Sequence, residues 1–261
     1  MAKPDAQSVI EGNRPVRRIL AIDIGGTGLK AAIVSPWGEF LSPRQRVKTP
    51  HKCPPRKMIK MLAELARPLG PYDHISIGFP GVVRGGKVLT APHLGTKAWA
   101  GFALEKAMAK ELGAPARLNN DADVQGLGVI GGFGREFVCT LGTGLGTAWF
   151  RDGELMPHMD LAHFAIHRKD DLDNYLGDKA RRKIGHKQWN KRVKKLIAML
   201  AIVMNYDRLH LGGGNSRHVK LRLPRNVSLA SNDAGMEGSA FVWNPRGIGA
   251  QKRKARARKT G

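Results

Sequence analysis

Cysteine is almost missing from this chain: among 261 residues there are two, Cys53 and Cys139. Two cysteines so far apart build neither a disulfide framework nor a cysteine-rich zinc site, so no structural zinc is expected. Long apolar runs are missing as well. None approaches the roughly 20 residues that span a bilayer, and residues 1–18 lack the apolar centre of a signal peptide. A cytoplasmic protein with no membrane partner is the expectation. Acids are scarce, 21 against 44 Lys or Arg, which leaves a net charge of +23. The scarcity is uneven. From residue 178 onward 21 Lys or Arg face four acids (Asp178, Asp207, Asp233 and Glu237), so +17 of the +23 lies there. Such a surface attracts polyanions, whether nucleic acid or an inorganic chain, and charge alone does not choose between them. What is present, 42% hydrophobic residues and 32 glycines, fits a loop-rich α/β protein with one large domain or two small ones.

The stretch 19–30 organises the rest. An apolar run, residues 19–22, reads as a buried strand and ends at Asp23. Gly25, Gly26, Thr27 and Gly28 follow, then a second apolar run over 29–34 with Lys30 near its start. Strand, glycine turn and strand make a hairpin. Glycines let an anion come close to backbone N–H groups, Thr27 and Lys30 suit phosphate oxygens, and Asp23 suits a hydrated Mg²⁺. The pattern returns about 120 residues later: a strand over 137–141, then Gly142, Thr143, Gly144, Leu145 and Gly146, then a strand over 147–150. Two such turns in two α/β halves point to a duplicated fold closing on a nucleotide or phosphate. Gly142-x-Gly144-x-Gly146 is not a dinucleotide fingerprint, because a strand rather than a helix follows it. A Walker loop is absent.

Elsewhere, residues 1–15 read as a loose arm, 40–47 as a third strand, 56–69 as a helix, and 74–79 as a buried strand closed by Pro80-Gly81. Helices are expected over 102–112 and 121–130, with a short strand over 116–118 between them. A helix over 171–184, a long one over 187–205, strands over 208–211 and 226–230, and a helix over 234–242 complete the set. The segment 251–261, with six basic residues and no acid, is expected to be disordered. The implied division is a flexible arm (1–17), an N-terminal α/β domain (18–118), a C-terminal α/β domain (119–248) and a basic tail (249–261).

At Asp23, Gly25 to Lys30, Pro80-Gly81, Asn120-Asp121, Gly142 to Gly146 and Gly212 to Asn215 the chain resembles the ROK sugar-kinase family, most closely its polyphosphate-dependent glucokinase branch. The resemblance runs from about residue 19 to 243. It implies an actin-like ATPase (ribonuclease H-like) fold, two α/β domains with mixed sheets around a central cleft, and phosphoryl transfer to a sugar's 6-hydroxyl. It makes Asp121 the general base. That role agrees with a carboxylate at a strand-to-helix junction, able to align a weakly nucleophilic hydroxyl and take its proton. It assigns Gly81, Asn120, Asp121, Asp160 and His163 to the sugar. The family's Glu-x-Gly-His clamp here reads Asp160-Leu161-Ala162-His163, a departure that bears on which sugar fits.

The same resemblance assigns Asp23, Gly25, Gly26, Thr27, Lys30, Gly142, Thr143, Gly144 and Gly146 to donor phosphates. Gly212, Gly213, Gly214 and Asn215 become candidates for facing a nucleotide, and Asp23 a residue that orients Mg²⁺ through water. The zinc-binding cysteine cluster of many members is absent, as in the polyphosphate branch, and about 18 residues before the first strand are too few for the helix-turn-helix of the family's repressors. The expected function is polyphosphate-dependent glucokinase, with ATP as a second donor and a homodimer as the assembly. Nine Lys or Arg and no acid over 179–195 suit a polyphosphate groove or simply a solvated helix face. Two rivals stand beside this. One is an ATP-dependent kinase of glucose, mannose or another hexose; the other is a non-catalytic protein on this fold that binds nucleic acid through its basic half and tail.

Overall fold

A computed structural model describes residues 9–11, 14–167, 170–231 and 233–243. β1 (Val9–Glu11) and β2 (Arg14–Val16) pair antiparallel, so residues 9–11 and 14–16 of the expected loose arm are strand. The rest of that arm and the basic tail lie outside the described residues. The first sheet contains β3 (Ile19–Ile24), β4 (Gly28–Val34), β5 (Gln45–Lys48), β6 (His74–Phe79) and, after the small hairpin β7 (Val83–Arg84)/β8 (Lys87–Val88), β9 (Ala116–Asn120). Helix α1 (Pro55–Ala66) precedes β6, and α2 (Thr96–Trp99) and α3 (Leu104–Leu112) precede β9. The second half holds α4 (Asp121–Val129), β10 (Arg135–Leu141), β11 (Leu145–Arg151), β12 (Glu154–Leu155), the hairpin β13 (Ala165–His167)/β14 (Asp170–Asp171), α5 (Leu172–Leu176), α6 (Asp178–Val203), β15 (Arg208–Gly212), β16 (Val227–Leu229) and α7 (Ala234–Gly238).

The repeat seen in the sequence recurs in the topology. The first sheet runs β5-β4-β3-β6-β9 and the second β12-β11-β10-β15-β16. In each, a glycine-turned antiparallel hairpin continues into two parallel strands. Sheet residues alternate between faces. In β3, Leu20, Ile22 and Ile24 join a core with α1 and α3, while Ile19 and Ala21 face α4 and α7. The second sheet likewise shares Val138, Ala148 and Phe150 with α4 and α7, and gives Phe137, Cys139 and Leu141 to a third core under α6. The order of layers is therefore helices, sheet, the α4–α7 pair, sheet, helices.

Four expected elements differ. The third strand shrinks to β5, and Phe40 keeps only a single bridge to Val34. Ser42 Oγ takes the Ile33 N–H at 2.8 Å, and Pro43 has no N–H to continue a ladder. The helix expected over 171–184 divides at Gly177 into short α5 and the start of α6, while the break expected before residue 187 is present, at Gly185, whose φ 75° and ψ 163° are non-helical. The last helix stops at Gly238. Strand β9 reaches Asn120 and pairs it with Phe79, two residues beyond the expected strand end.

The two middle helices touch through glycine. A Cβ on Gly128 would meet the Ala234 carbonyl, and one on Gly238 would meet the Val124 carbonyl. On an exposed helix, Gly→Ala gains about 1 kcal/mol. Here the sign reverses: Gly128→Ala is expected to lose about 1–3 kcal/mol through overpacking, read as a lower urea midpoint at unchanged slope.

Candidate active site

Strand β9 delivers Asn120 to the N-cap of α4. Its Oδ1 accepts from Ala122 N at 2.8 Å and its Nδ2 donates to the Gly81 carbonyl at 3.0 Å. Asn120 is buried, so this amide fixes the helix entry and retains a single hydrogen for any ligand. Asp121, the next residue, is half-buried; its Oδ1 also accepts from Ala122 N, at 2.9 Å. Burial first, then the Asp23 charge, push its carboxyl up to about 7, with Asp123 adding to the rise and the Ala122 N–H and His158 opposing it. A carboxyl poised there is half-ionised at neutral pH, as a general base requires. Gly78 lines its back, where a Cβ would lie 3.4 Å from Asp121 Cα.

Asp123 and His158 are neighbours that the sequence reading missed. Asp123 is buried on the first turn of α4 and its Oδ1 lies 3.1 Å from His158 Nδ1. Burial alone would lower the His158 imidazole, but the hydrogen bond and charge of Asp123, with Asp160 and Asp121, raise it above its ordinary value. The acid two positions after Asp121 was a visible signal; His158 sits in a loop without periodicity, and only packing brings it here.

The two glycine turns meet. A Cβ on Gly26 would stand 3.2 Å from Thr143 Oγ1. The first turn is closed by Gly25 N to Gly28 O at 3.0 Å and by Thr49 Oγ1 to Gly25 O at 2.6 Å. Asp23 and Lys30, cross-strand partners, form an ion pair at 2.7 Å. The second turn is closed by Gly142 N to Gly144 O at 2.9 Å, and Leu145 N donates to Asp173 Oδ1 at 2.7 Å. A side chain at Gly144 would collide with that carboxylate. At Gly146 a Cβ would come 2.9 Å from Ala122 Cβ, which seats the turn against the residue after Asp121.

The third turn packs on the second: Asn215 Nδ2 donates to Gly142 O at 2.9 Å, and Gly213 takes φ 79° against Leu141. Gly212 abuts Gln125 of α4. Thus Asp23, the turn residues Gly25, Gly26 and Thr27, Lys30, residues 142–146, residues 212–215 and Asp121 surround one region.

Asp160 and His163 are tied to β11 through Thr147 Oγ1, which donates to Met159 O at 2.7 Å. His163 Nδ1 lies 3.1 Å from Asp171 Oδ2, and its Nε2 lies 3.9 Å from Asp160 Oδ2. The Asp171 hydrogen bond, against the pull of burial, raises this imidazole, with help from the Asp160, Asp171 and Asp173 charges. Among the described residues His163 makes no hydrogen bond to Asn120 or Asp121, and its ring is largely exposed. No group of three or more His, Cys, Asp or Glu among the described residues could hold a metal ion, and no helix there is long and apolar enough to cross a membrane. A shallow depression of about 520 Å³ between α1 and α3, lined by Arg56, Lys60, Glu64 and Glu111, shares no residue with these turns.

Carboxyl-carbon NMR of the full chain is expected to show Asp121 titrating near 7. His158→Gln, which removes a nearby cation, is expected to raise that midpoint; a midpoint in the ordinary carboxylate range for both proteins would contradict the site described.

Comparison with known proteins agrees with this geometry. The model of the ROK family matches residues 19–160, from β3 through both glycine turns to Asp160. Polyphosphate glucokinase of Mycobacterium leprae (strain TN) is 29% identical over 247 residues, 88% of this chain and 76% of that protein. The inorganic polyphosphate/ATP-glucomannokinase of Arthrobacter sp. strain KM superposes with a TM-score of 0.80 at 29% identity, over 87% of this chain and 98% of that one. A ROK family glucokinase from Streptomyces griseus, solved with glucose and AMPPNP, shares the fold at a TM-score of 0.71 and 19% identity, over 86% of this chain and 98% of that one. The paired hairpin sheets are the two halves of an actin-like ATPase fold, and with the family model spanning residues 19–160 of 261 the chain belongs to the ROK family.

Proposed function

We propose that this ROK sugar kinase transfers a phosphoryl group from inorganic polyphosphate to the 6-hydroxyl of glucose, with Asp121 as general base. The observation that carries the reading is the meeting of the two glycine turns at Gly26 and Thr143 beside a carboxyl raised to about 7. The sugar hydroxyl donates its hydrogen to Asp121, which aligns the oxygen and takes the proton as the bond to phosphorus forms. Gly81, Asn120, Asp160 and His163 orient the sugar. The backbone N–H groups around Gly25, Gly26, Thr27, Gly142, Thr143, Gly144 and Gly146, with Lys30, hold the donor's terminal phosphates as negative charge shifts toward the leaving oxygen.

Mg²⁺ fits the residues present in one manner. Asp23 and Asp121 are two acids close enough for one to raise the other, and Lys30 pairs with Asp23. A hydrated ion carried on the donor phosphates and oriented by Asp23 suits this setting, where it would neutralise phosphate charge.

The basic face of α6 supports the polyphosphate assignment, since Asp178 at its start donates its N–H to Gly142 O at 3.0 Å and nine Lys or Arg follow without an acid. ATP as a second donor is favoured by the packing of residues 212–215 on the donor turn through Asn215.

Asp121→Asn is expected to lower kcat by about 10²–10⁴-fold with the circular dichroism unchanged; retained turnover would sink the mechanism. Wild-type kcat/KM is expected to fall as pH drops through about 7, because protonation removes the base. Assays of glucose with polyphosphate and with ATP, at low salt with Mg²⁺, decide the donor: inactivity with polyphosphate overturns that assignment.

A further inference from the structure

Beside the donor turn, α6 and the segment after β15 bring together four nitrogen-rich side chains that none of the roles above uses. Arg181 Nη1 lies 2.7 Å from His186 Nε2, and Arg217 Nε lies 3.3 Å from His218 Nε2. The two imidazoles stack with ring centroids 4.6 Å apart at 37°. A guanidinium only donates, so each Nε2 must accept where these contacts are hydrogen bonds. The backbone beneath is built for this pairing. Buried Asn190 donates from Nδ2 to both the His186 and His218 carbonyls, each at 2.9 Å, and accepts the Lys220 N–H at 2.7 Å.

Cations dominate the cluster. Asp178 is the only acid in it: its Oδ1 takes Nε and Nη2 of Arg181 at 3.1 and 2.7 Å, and its Oδ2 takes Arg182 Nε at 2.6 Å. Arg217 has no carboxylate partner among the described residues, and its exposed guanidinium has only His218 as an acceptor. Three guanidiniums and two protonatable rings against one carboxylate leave an uncompensated cationic surface. Desolvation first, and then Arg181, His186 and Arg217, hold the His218 imidazole below its ordinary value, against Asp178. An anion is what would satisfy these groups.

Both segments leave directly from the second glycine turn, through Asp178 N to Gly142 O and Asn215 Nδ2 to Gly142 O. We infer that Arg181, His186, Arg217 and His218 form a subsite for remote phosphate groups of a condensed inorganic phosphate chain whose end lies in the glycine turns. This rests on the reading of those turns as a donor phosphate site. The cluster lies past Asp178 on α6 and past Asn215 on the other segment, the two residues bonded to the turn, so it meets units beyond the one transferred. An anion beside His218 favours its protonated form, so chain binding tightens as pH falls. The charged groups facing these rings are Asp178, Arg181 and Arg182 of α6 and Arg217 across from it.

Calorimetric titration of the full chain with long-chain polyphosphate, ATP and single-stranded DNA tests this. Arg217→Ala is expected to weaken long-chain polyphosphate binding about tenfold and ATP binding less than about twofold. Arg217→Gln keeps the stem and reads the same should the alanine variant fail to fold. From about pH 8 to about pH 6 wild-type affinity for polyphosphate is expected to rise more steeply than that of the double variant His186→Gln/His218→Gln. Unchanged polyphosphate affinity in Arg217→Ala overturns the subsite. So does an equal loss for single-stranded DNA, which would mark a nonspecific cationic face. A wild-type protein that binds polyphosphate through Arg217 without phosphorylating glucose from it would instead overturn the donor assignment and leave the subsite standing.

Discussion

Close approach of α4 and α7, with backbone against backbone, holds the molecule's two halves in register. The carbonyls of Val124 and Ala234 stand where side chains at Gly238 and Gly128 would be, and Gly126 gives its side to the Phe150 ring, whose Cε2 a Cβ would meet at 2.5 Å. No larger residue leaves α4 thin enough to lie between two sheets. From that placement the rest follows. The start of α4 reaches the ends of β6 and β9 from the first sheet and Gly146 of the second, so Asp121 faces both glycine turns without belonging to either hairpin.

Electrostatics at this point is a balance between acids collected on one side and cations on the other. Burial and the charges of Asp23 and Asp123 raise the Asp121 carboxyl, and the Ala122 N–H and His158 relieve only part of that. Along α6 the imbalance has the opposite sign, with Asp178 shared between two arginines. Phosphate and a divalent ion together would discharge both sides, and a surface so divided suits a ligand of alternating charge better than a neutral one.

Much of this was legible in the residues because the signals are local. Alternating and continuous apolar runs mark β3, β4, β6 and β10, and β6 matches its expected bounds residue for residue. Glycine turns are visible because only glycine tolerates backbone so near other backbone. Asn120-Asp121 reads as a helix start because an amide caps and an acid favours the first turn. Illegible features depend on what distant segments do. Asp173 holds the second turn from 28 positions away, and His158 reaches Asp123 across 35. The interrupted strand near Phe40 turns on Ser42 taking one N–H. The break in α6 at Gly185, by contrast, was legible, because glycine takes at little steric cost a φ that other residues avoid.

Helix α7 is formed by the last described stretch of the chain, yet it packs on β3 and β4, among the first strands made. A ribosome delivers these pieces in order, with the segment carrying Met236, Ala240, Phe241 and Trp243 arriving after the strands of both sheets. Until it emerges, part of each sheet's inner face and one flank of α4 remain open to water. Ser76 Oγ also waits for the Ser239 carbonyl, its partner at 2.7 Å. The inner face of the first sheet is covered by α4 as soon as that helix follows β9, but its cover by α7 waits until the second sheet has been made. Closure of the inner layer therefore depends on a segment far along the chain from the strands it covers: α7 packs on α4, β3 and β4.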